Sequence, residues 1–191
     1  MESHLFIVSH SASKSIEFLR QFCLSIVSMK NGTEIAQAKK FAQKNVLATI
    51  ATVNVDTFVP EAAIVYYWYD NRNNIYLATL RESRKITNIE TNDNVAIVIG
   101  NENSGKTLQF EGTSQILTDS KETVSVLEIL HKNIKEHQPH LILWPMLQLH
   151  PQGICLMKVT ISWFRFSSFT DPIFTVEGTG SDLLTGSMAL E

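Results

Sequence analysis

The segment TLRESRKITN, residues 79–88, places two cations where the backbone of a helix does not favour them. Ser83 is a typical N-cap residue, and the apolar residues after it are spaced as on one face of a short helix. Arg84 and Lys85 then fall in the first turn, where the helix dipole is positive and a cation costs about 0.3–1 kcal/mol. Unpaired backbone N–H groups and two cations at one place indicate a binding site for an anion.

The composition describes a single globular domain with an ordinary core. The chain has 191 residues, of which 44% are hydrophobic and 18% charged, so no metal or disulfide is needed for folding. A net charge of −3, with no basic stripe, argues against a nucleic-acid partner. Cys23 and Cys155 lie far apart, and we interpret them as reduced thiols in a cytoplasmic protein.

The two ends of the chain are expected to lie outside the domain. The apolar segment 16–27 is interrupted by Glu17 and Arg20 and is too short to cross a bilayer, which predicts neither a signal peptide nor a membrane contact. Either this region forms an extra amphipathic helix, or translation starts at Met29. We therefore divide the chain into a peripheral N-terminal extension (1–30), a central domain (31–170) and a C-terminal tail (171–191), whose Gly/Ser-rich end (177–191) is expected to be loose.

The central domain is predicted to be mainly β (α+β), a six-stranded antiparallel barrel with flanking helices. Helices are predicted at 33–45, 83–92 and from about Asp119 to Glu136. Hairpin-like connections join most of the strands, which favours an antiparallel barrel. The strand around 64–69 is apolar on both faces, so a partner subunit is expected to cover one of them, in a homodimer. The six predicted strands are 46–53, 58–69, 75–79, 94–100, 106–117 and 154–166.

The order of these elements resembles a known family. A helix leads into the ATIATVN hairpin, a strand ends at Thr79, Ser-Arg-Lys follows at 83–85, and LQFEG lies on a later strand. This arrangement resembles the pyridoxamine-phosphate oxidase-like family of FMN-binding split barrels. The resemblance implies that Arg84 and Lys85 hold the FMN phosphate, with Ser83 beside them. A phosphate dianion would turn two misplaced cations into charge-assisted hydrogen-bond donors.

The resemblance also implies which residues lie along the flavin ring. The family's ring-lining strand corresponds to Ala63–Trp68 here. An arginine–glutamine pair on a later strand of the family falls at Lys106–Thr107. Either Lys106 or Gln109, further along that strand, is therefore expected near the N1–C2 carbonyl of the flavin. The ring-lining candidates are Ile64, Val65, Tyr66, Ala78 and Thr79.

The sequence departs from the oxidase itself both at the FMN phosphate site and in its substrate residues. The oxidase has an arginine at the position of Ala63 and a lysine at that of Trp68, so the phosphate site here has fewer cations. Its C-terminal Arg-x-His pair is reduced here to Arg165 without the histidine. Oxidation of pyridoxamine phosphate is therefore not expected, whereas flavin binding uses other residues.

The functional expectation is an FMN-dependent oxidoreductase of unknown substrate, with NAD(P)H or another small molecule as electron donor. The alternative is a module that holds flavin or haem without turnover. No side chain stands out as a catalytic acid or base. Four histidines lack Cys or acidic companions at a recognised spacing, so no metal site is predicted; they are His131, His137, His140 and His150.

Overall fold

Seven strands and four helices make up residues 32–101, 103–138 and 153–185, which the computed structural model describes. In that part of the chain, no helix has the length and apolar character needed to cross a membrane. The elements are, in chain order, α1 (Gly32–Lys44), β1 (Leu47–Val53), β2 (Pro60–Tyr69), β3 (Asn74–Leu80), α2 (Arg84–Thr91), β4 (Asn94–Asn101), β5 (Lys106–Ile116), α3 (Ser120–His137), β6 (Ile154–Ser168), β7 (Phe174–Thr179) and α4 (Gly180–Thr185).

The first six strands form a closed antiparallel barrel. The sheet order is β3-β2-β1-β4-β5-β6-β7, and an additional pairing of β3 with β6 closes the ring. That pairing runs along the whole of β3, from Asn74 opposite Thr160 to Leu80 opposite Ile154. The predicted fold class, a mainly β, six-stranded antiparallel barrel with flanking helices, is confirmed. Strand β7 lies outside the ring and pairs with β6.

The barrel interior is filled by the inward residues of alternating strands. On β5 buried and exposed residues alternate regularly from Leu108 to Gln115, as expected for a strand with one face on a core. Large fully buried side chains include Tyr67, Phe110 and Phe164. The Tyr67 hydroxyl donates to the carbonyl of Ala42 at 2.6 Å and thereby fixes α1 on the barrel.

Helix α3 covers part of the barrel's outer surface. Leu130 and Ile134 of this helix are buried against Tyr76 and Ala78, so β3 is buried on both faces. Trp68 stacks on Tyr76 with a centroid distance of 5.1 Å and packs into the same cluster. The outer face of the segment 64–69 was expected to need a partner subunit. The structure shows that α3 covers its Trp68 end.

The expectation of a loose end is wrong for residues 177–185, which belong to β7 and α4. Strand β7 pairs with β6 from Phe174 opposite Ser168 to Thr179 opposite Trp163, and α4 follows it directly. Leu183 of α4 is buried, and its carbonyl accepts a hydrogen bond of 3.0 Å from the buried Lys39 amine. The predictions for residues 1–30, Cys23, His140 and His150 lie outside the described residues.

Gly112 marks the one register shift in the pairing of β5 with β6. The ladder passes from Glu111 opposite Trp163 to Gly112 opposite Ile161, which leaves Ser162 as an extra residue. A Cβ at position 112 would overlap the carbonyl oxygen of Thr160. Gly112 is therefore required for the close approach of two backbones.

We expect Gly112→Ala to lower the free energy of unfolding by about 1–3 kcal/mol, because the two strands must separate to admit the methyl group. Gly100→Ala on β4 is the matched control, since nothing lies within 4 Å of a Cβ at that position. Urea denaturation measures both variants. Equal stability of the two alanine variants would contradict the explanation of the register shift.

Candidate functional site

A cleft opens between β2 and β3, where the barrel wall is incomplete. These strands pair over only three positions, from Tyr69 opposite Ile75 to Tyr67 opposite Leu77. Strand β2 extends beyond this ladder to Pro60 and β3 extends to Leu80, so the two segments diverge. The cleft holds a cavity of about 200 Å³.

Most of the predicted ring-lining and phosphate-binding residues line this cavity. Both walls are largely apolar, and the polar side chains collect at the end formed by α2. Leu80 and Ile154 were not predicted. They face each other across the β3–β6 ladder, whose register cannot be read from sequence. The lining residues are Ile64, Val65, Tyr66, Ala78, Thr79, Leu80, Ser83, Lys85 and Ile154.

Three polar side chains converge at the α2 end of the cavity. The Lys85 amine donates to the Thr79 hydroxyl at 2.9 Å, and the Ser83 hydroxyl lies 3.4 Å from the same oxygen. Ser83 occupies the N-cap position of α2, as predicted, but its side chain makes no capping hydrogen bond. The first turn contains no acidic residue. This end of the helix therefore presents positive charge without an internal counter-charge in its own first turn.

Burial destabilises the charged form of Lys85 relative to that of a surface lysine. Desolvation lowers the pKa of its amine below the ordinary value of 10.5, while the Glu61 carboxylate opposes that shift. An anion that binds beside a half-buried cation of this kind stabilises its charged form, because the attraction offsets part of the lost hydration. The local electrostatics are thus those of an anion site.

Arg84 does not line the cavity. Its guanidinium forms an ion pair with Glu61, with an Nη1–Oε1 distance of 2.8 Å, and its side chain is 85% exposed. Glu61 also accepts a hydrogen bond of 3.2 Å from the amide of Asn88, a buried residue of α2. The prediction placed Arg84 together with Lys85 on one anion, whereas this structure pairs it with a carboxylate that sequence reasoning missed. A pairing across 23 positions leaves no local signal in the sequence.

Lys106 and Gln109 lie away from the cleft within one chain. They are three positions apart on β5, so they lie on opposite faces of the strand. Ladder pairs connect Ile64 to Gln109 through Thr49 and Val98, which places Gln109 three strands from the cavity wall. At about 4.8 Å per strand this is roughly 14 Å. Neither residue can therefore reach a ligand in the cavity of its own chain.

Arg165, the residue that corresponds to half of the oxidase's substrate pair, is engaged on the far part of β6. Its guanidinium donates from both Nε and Nη2 to Oε2 of Glu177, at 3.1 and 2.8 Å. It also lies over the ring of Trp163 at 5.4 Å. The side chain is thus held by partners within the chain and lies eleven positions along β6 from Ile154 at the cavity.

The cleft combines a cationic polar end with apolar walls, which suits a flat apolar group that carries a phosphate. Small-molecule pockets are typically about 300–1,000 Å³, so the cavity of one chain would enclose only part of such a ligand.

For metals, the described residues contain no group of three or more His, Cys, Asp or Glu side chains that could hold an ion. His131 and His137 lie on α3, away from the cavity lining.

The comparisons with known proteins agree with this architecture. Among curated proteins none matches the chain. Solved structures with a similar fold include a protein related to general stress protein 26, of the pyridoxinephosphate oxidase family, from Clostridium acetobutylicum. Its TM-score is 0.59 at 14% identity, covering 80% of this chain and 99% of that one.

Two further similar structures differ in what they bind. One is a FAD-binding protein from Mesorhizobium loti, with a TM-score of 0.53 and 16% identity, covering 69% of this chain and 91% of that one. The other is a heme binding protein from Mycobacterium smegmatis, with a TM-score of 0.59 and 12% identity, covering 83% of this chain and 62% of that one. At these identities the likeness shows the fold alone.

The family assignment comes from the sequence itself. A family model described as pyridoxamine 5'-phosphate oxidase matches residues 35–167, which is more than half of the chain and includes every strand of the closed barrel except the last residue of β6. The protein belongs to the pyridoxamine 5'-phosphate oxidase family.

Proposed function

We propose that the protein binds FMN in the cleft between β2 and β3 and transfers electrons or hydride to or from a small molecule. The observation that carries this proposal is the convergence of Lys85, Thr79 and Ser83 at the start of α2, at one end of an apolar cleft. The family assignment and the FAD-binding relative support a flavin as the ligand.

The polar end of the cleft suits the phosphate of FMN. The Lys85 amine and the Thr79 and Ser83 hydroxyls lie within reach of one another at the start of α2, where the helix dipole favours a negative charge. A phosphate there would accept charge-assisted hydrogen bonds from Lys85 and supply the negative charge that the first turn lacks.

The apolar walls suit the ring. Ile64 and Tyr66 stand on one side and Ala78 and Leu80 on the other, so a flat ring between them would contact apolar side chains on both faces, and a partner subunit would close the open side. The flavin supplies the redox chemistry when bound, and the protein positions it and excludes solvent. Among the described residues that line the cavity, Lys85 and Tyr66 are the only ones with titratable side chains, so these residues offer few groups for proton transfer.

Haem binding without turnover is the second candidate, supported by the haem-binding relative. The described lining residues contain neither histidine nor cysteine, the commonest haem ligands along with methionine, and this favours flavin. The absorbance spectrum of the purified protein separates the two. Bleaching of a bound flavin by NADH or NADPH without oxygen would then separate an oxidoreductase from a passive carrier.

The phosphate anchor gives the first test of the function. We expect Lys85→Ala to weaken FMN binding by roughly ten- to a hundredfold, because a hydrogen bond to a charged group is worth about 1.5–3 kcal/mol. Riboflavin, which lacks the phosphate, should bind the wild type and the variant about equally. Flavin fluorescence titration measures both ligands.

Lys40→Ala is the control for loss of a lysine, because Lys40 is an exposed residue of α1 and lies outside the cavity lining. Equal FMN affinity in the wild type and in Lys85→Ala would refute the placement of the phosphate at the start of α2.

We also propose that the protein is a homodimer whose interface completes the flavin site. The cavity of one chain is small, and Gln109 cannot reach it from the same chain. Three exposed apolar side chains lie on the outer sheet face around Thr49: Ile64 is 76% exposed, Val98 39% and Leu47 38%. Ladder pairs align Ile64 with Val98 across β1, so the exposed side chains lie on one face.

Light scattering tests the dimer. We expect the wild type to have twice the mass of the 21.5 kDa chain, and Val98→Glu to shift it toward the monomer, because a charge cannot be buried in an apolar interface. Val124→Glu is the matched control, since Val124 is 56% exposed on α3, away from this face. A wild type that stays monomeric with flavin bound would refute the shared site.

The protein is not expected to oxidise pyridoxamine phosphate efficiently. Arg165 is already paired with Glu177, and the other substrate-phosphate residues of the oxidase are missing from the sequence. Each lost charged hydrogen bond costs about 1.5–3 kcal/mol, so losing two or three lowers kcat/KM by roughly three to five orders of magnitude. The assay measures hydrogen peroxide and pyridoxal phosphate release from FMN-loaded protein. Turnover near one per second at micromolar substrate would contradict the prediction.

A further inference from the structure

Glu61 is a carboxylate placed beside the two cations that the sequence offers to a phosphate. It forms the 2.8 Å ion pair with Arg84, and it acts on the charge of Lys85 closely enough to oppose the effect of burial on that pKa. We propose that Glu61 lowers the preference of the cleft for FMN over riboflavin, because its carboxylate competes with the FMN phosphate for Arg84. This inference rests on the proposed flavin site.

The carboxylate is the fixed member of its ion pair. The amide of Asn88 donates to Oε2 of Glu61 at 3.2 Å and to the Thr52 hydroxyl at 3.0 Å. Both Asn88 and Thr52 are buried, and Thr52 and Glu61 are direct partners in the β1–β2 ladder. Glu61 is therefore held from the strand and from α2 at the same time.

Arg84 is the movable member. Its side chain is 85% exposed, whereas that of Glu61 is 19% exposed. Arg84 directly precedes Lys85 in the first turn of α2, so its long side chain can turn toward a phosphate bound at Lys85. To do so it must leave Glu61 or share its donors between the carboxylate and the phosphate.

Glu61 has two effects on a bound phosphate, and both lower the affinity for FMN. Its carboxylate withholds the Arg84 guanidinium, and its negative charge repels a dianion that binds next to Lys85. Both effects weaken FMN binding, and neither acts on riboflavin, which has no phosphate. The opposite reading, in which Glu61 orients Arg84 toward the phosphate, predicts the opposite change when the charge is removed.

The variant Glu61→Gln tests whether Glu61 weakens or strengthens FMN binding. Glutamine keeps the size of the side chain and an oxygen that can accept from Asn88, but it removes the charge. We expect the ratio of the riboflavin Kd to the FMN Kd to rise by about three- to tenfold, the range of an exposed ion pair plus a repulsion between like charges. The riboflavin Kd itself should not change. Fluorescence titration of wild type and variant with FMN and with riboflavin measures the ratio.

Glu177→Gln is the matched control. It removes the carboxylate of the Arg165–Glu177 ion pair on the distant part of the sheet, so the ratio should stay at the wild-type value. In the double variant Arg84→Ala/Glu61→Gln, the gain over Arg84→Ala alone should shrink, because the residue that Glu61 withholds is missing. A gain of full size there would overturn the competition for Arg84.

An unchanged or lowered ratio in Glu61→Gln overturns the proposal while leaving the flavin site intact. Failure of the wild type to bind either flavin overturns both the proposed function and this inference. If Glu61→Gln does not fold, Arg84→Ala decides. Competition predicts that it weakens FMN binding less than Lys85→Ala does, and an equal or larger loss overturns the proposal.

Discussion

The seven-residue pairing of β3 with β6 is the interaction on which the rest of the molecule depends. It closes the barrel and holds β3 along its whole length. On its other edge β3 pairs with β2 over only three positions, whereas β2 follows β1 over seven, so β2 and β3 separate beyond these three pairs. The cleft lies at this gap, between two strands that are each held by their other neighbour. Helix α3 reinforces this arrangement by burying the outer face of β3.

The start of α2 shows a local conflict between stability and binding. A stable isolated helix would have an acidic residue and a side-chain cap in its first turn, and this helix has neither. The half-buried Lys85 amine adds to the cost. Features of this kind are common at binding sites, where groups that destabilise the free protein are stabilised by the ligand. In the structure, Glu61 partly neutralises the positive charge at the start of α2 by forming an ion pair with Arg84.

Features that depend on residues close together in the chain could be predicted from the sequence, whereas features that depend on contacts between distant segments could not. The start of α2 could be predicted because capping and dipole effects act within one turn, and the barrel strands because alternation is a local pattern. The β7 strand was missed because its apolar alternation is limited to Phe174 and Val176 and then runs into the Gly/Ser-rich end of the chain. The Glu61–Arg84 pair and the remote position of Gln109 depend on strand register, which only the folded chain defines.

The contact between Lys39 and Leu183 couples local opening of the chain to protonation. Helix α4 has six residues and is held through the buried Leu183 and the hydrogen bond from the Lys39 amine. Burial lowers the pKa of that amine from 10.5, so its affinity for a proton increases when α4 detaches and water returns. Detachment therefore takes up protons, and within the interval between the lowered pKa and 10.5 a fall in pH favours the open form. If α4 opens on its own, that opening is therefore linked to proton uptake by Lys39 within this alkaline interval.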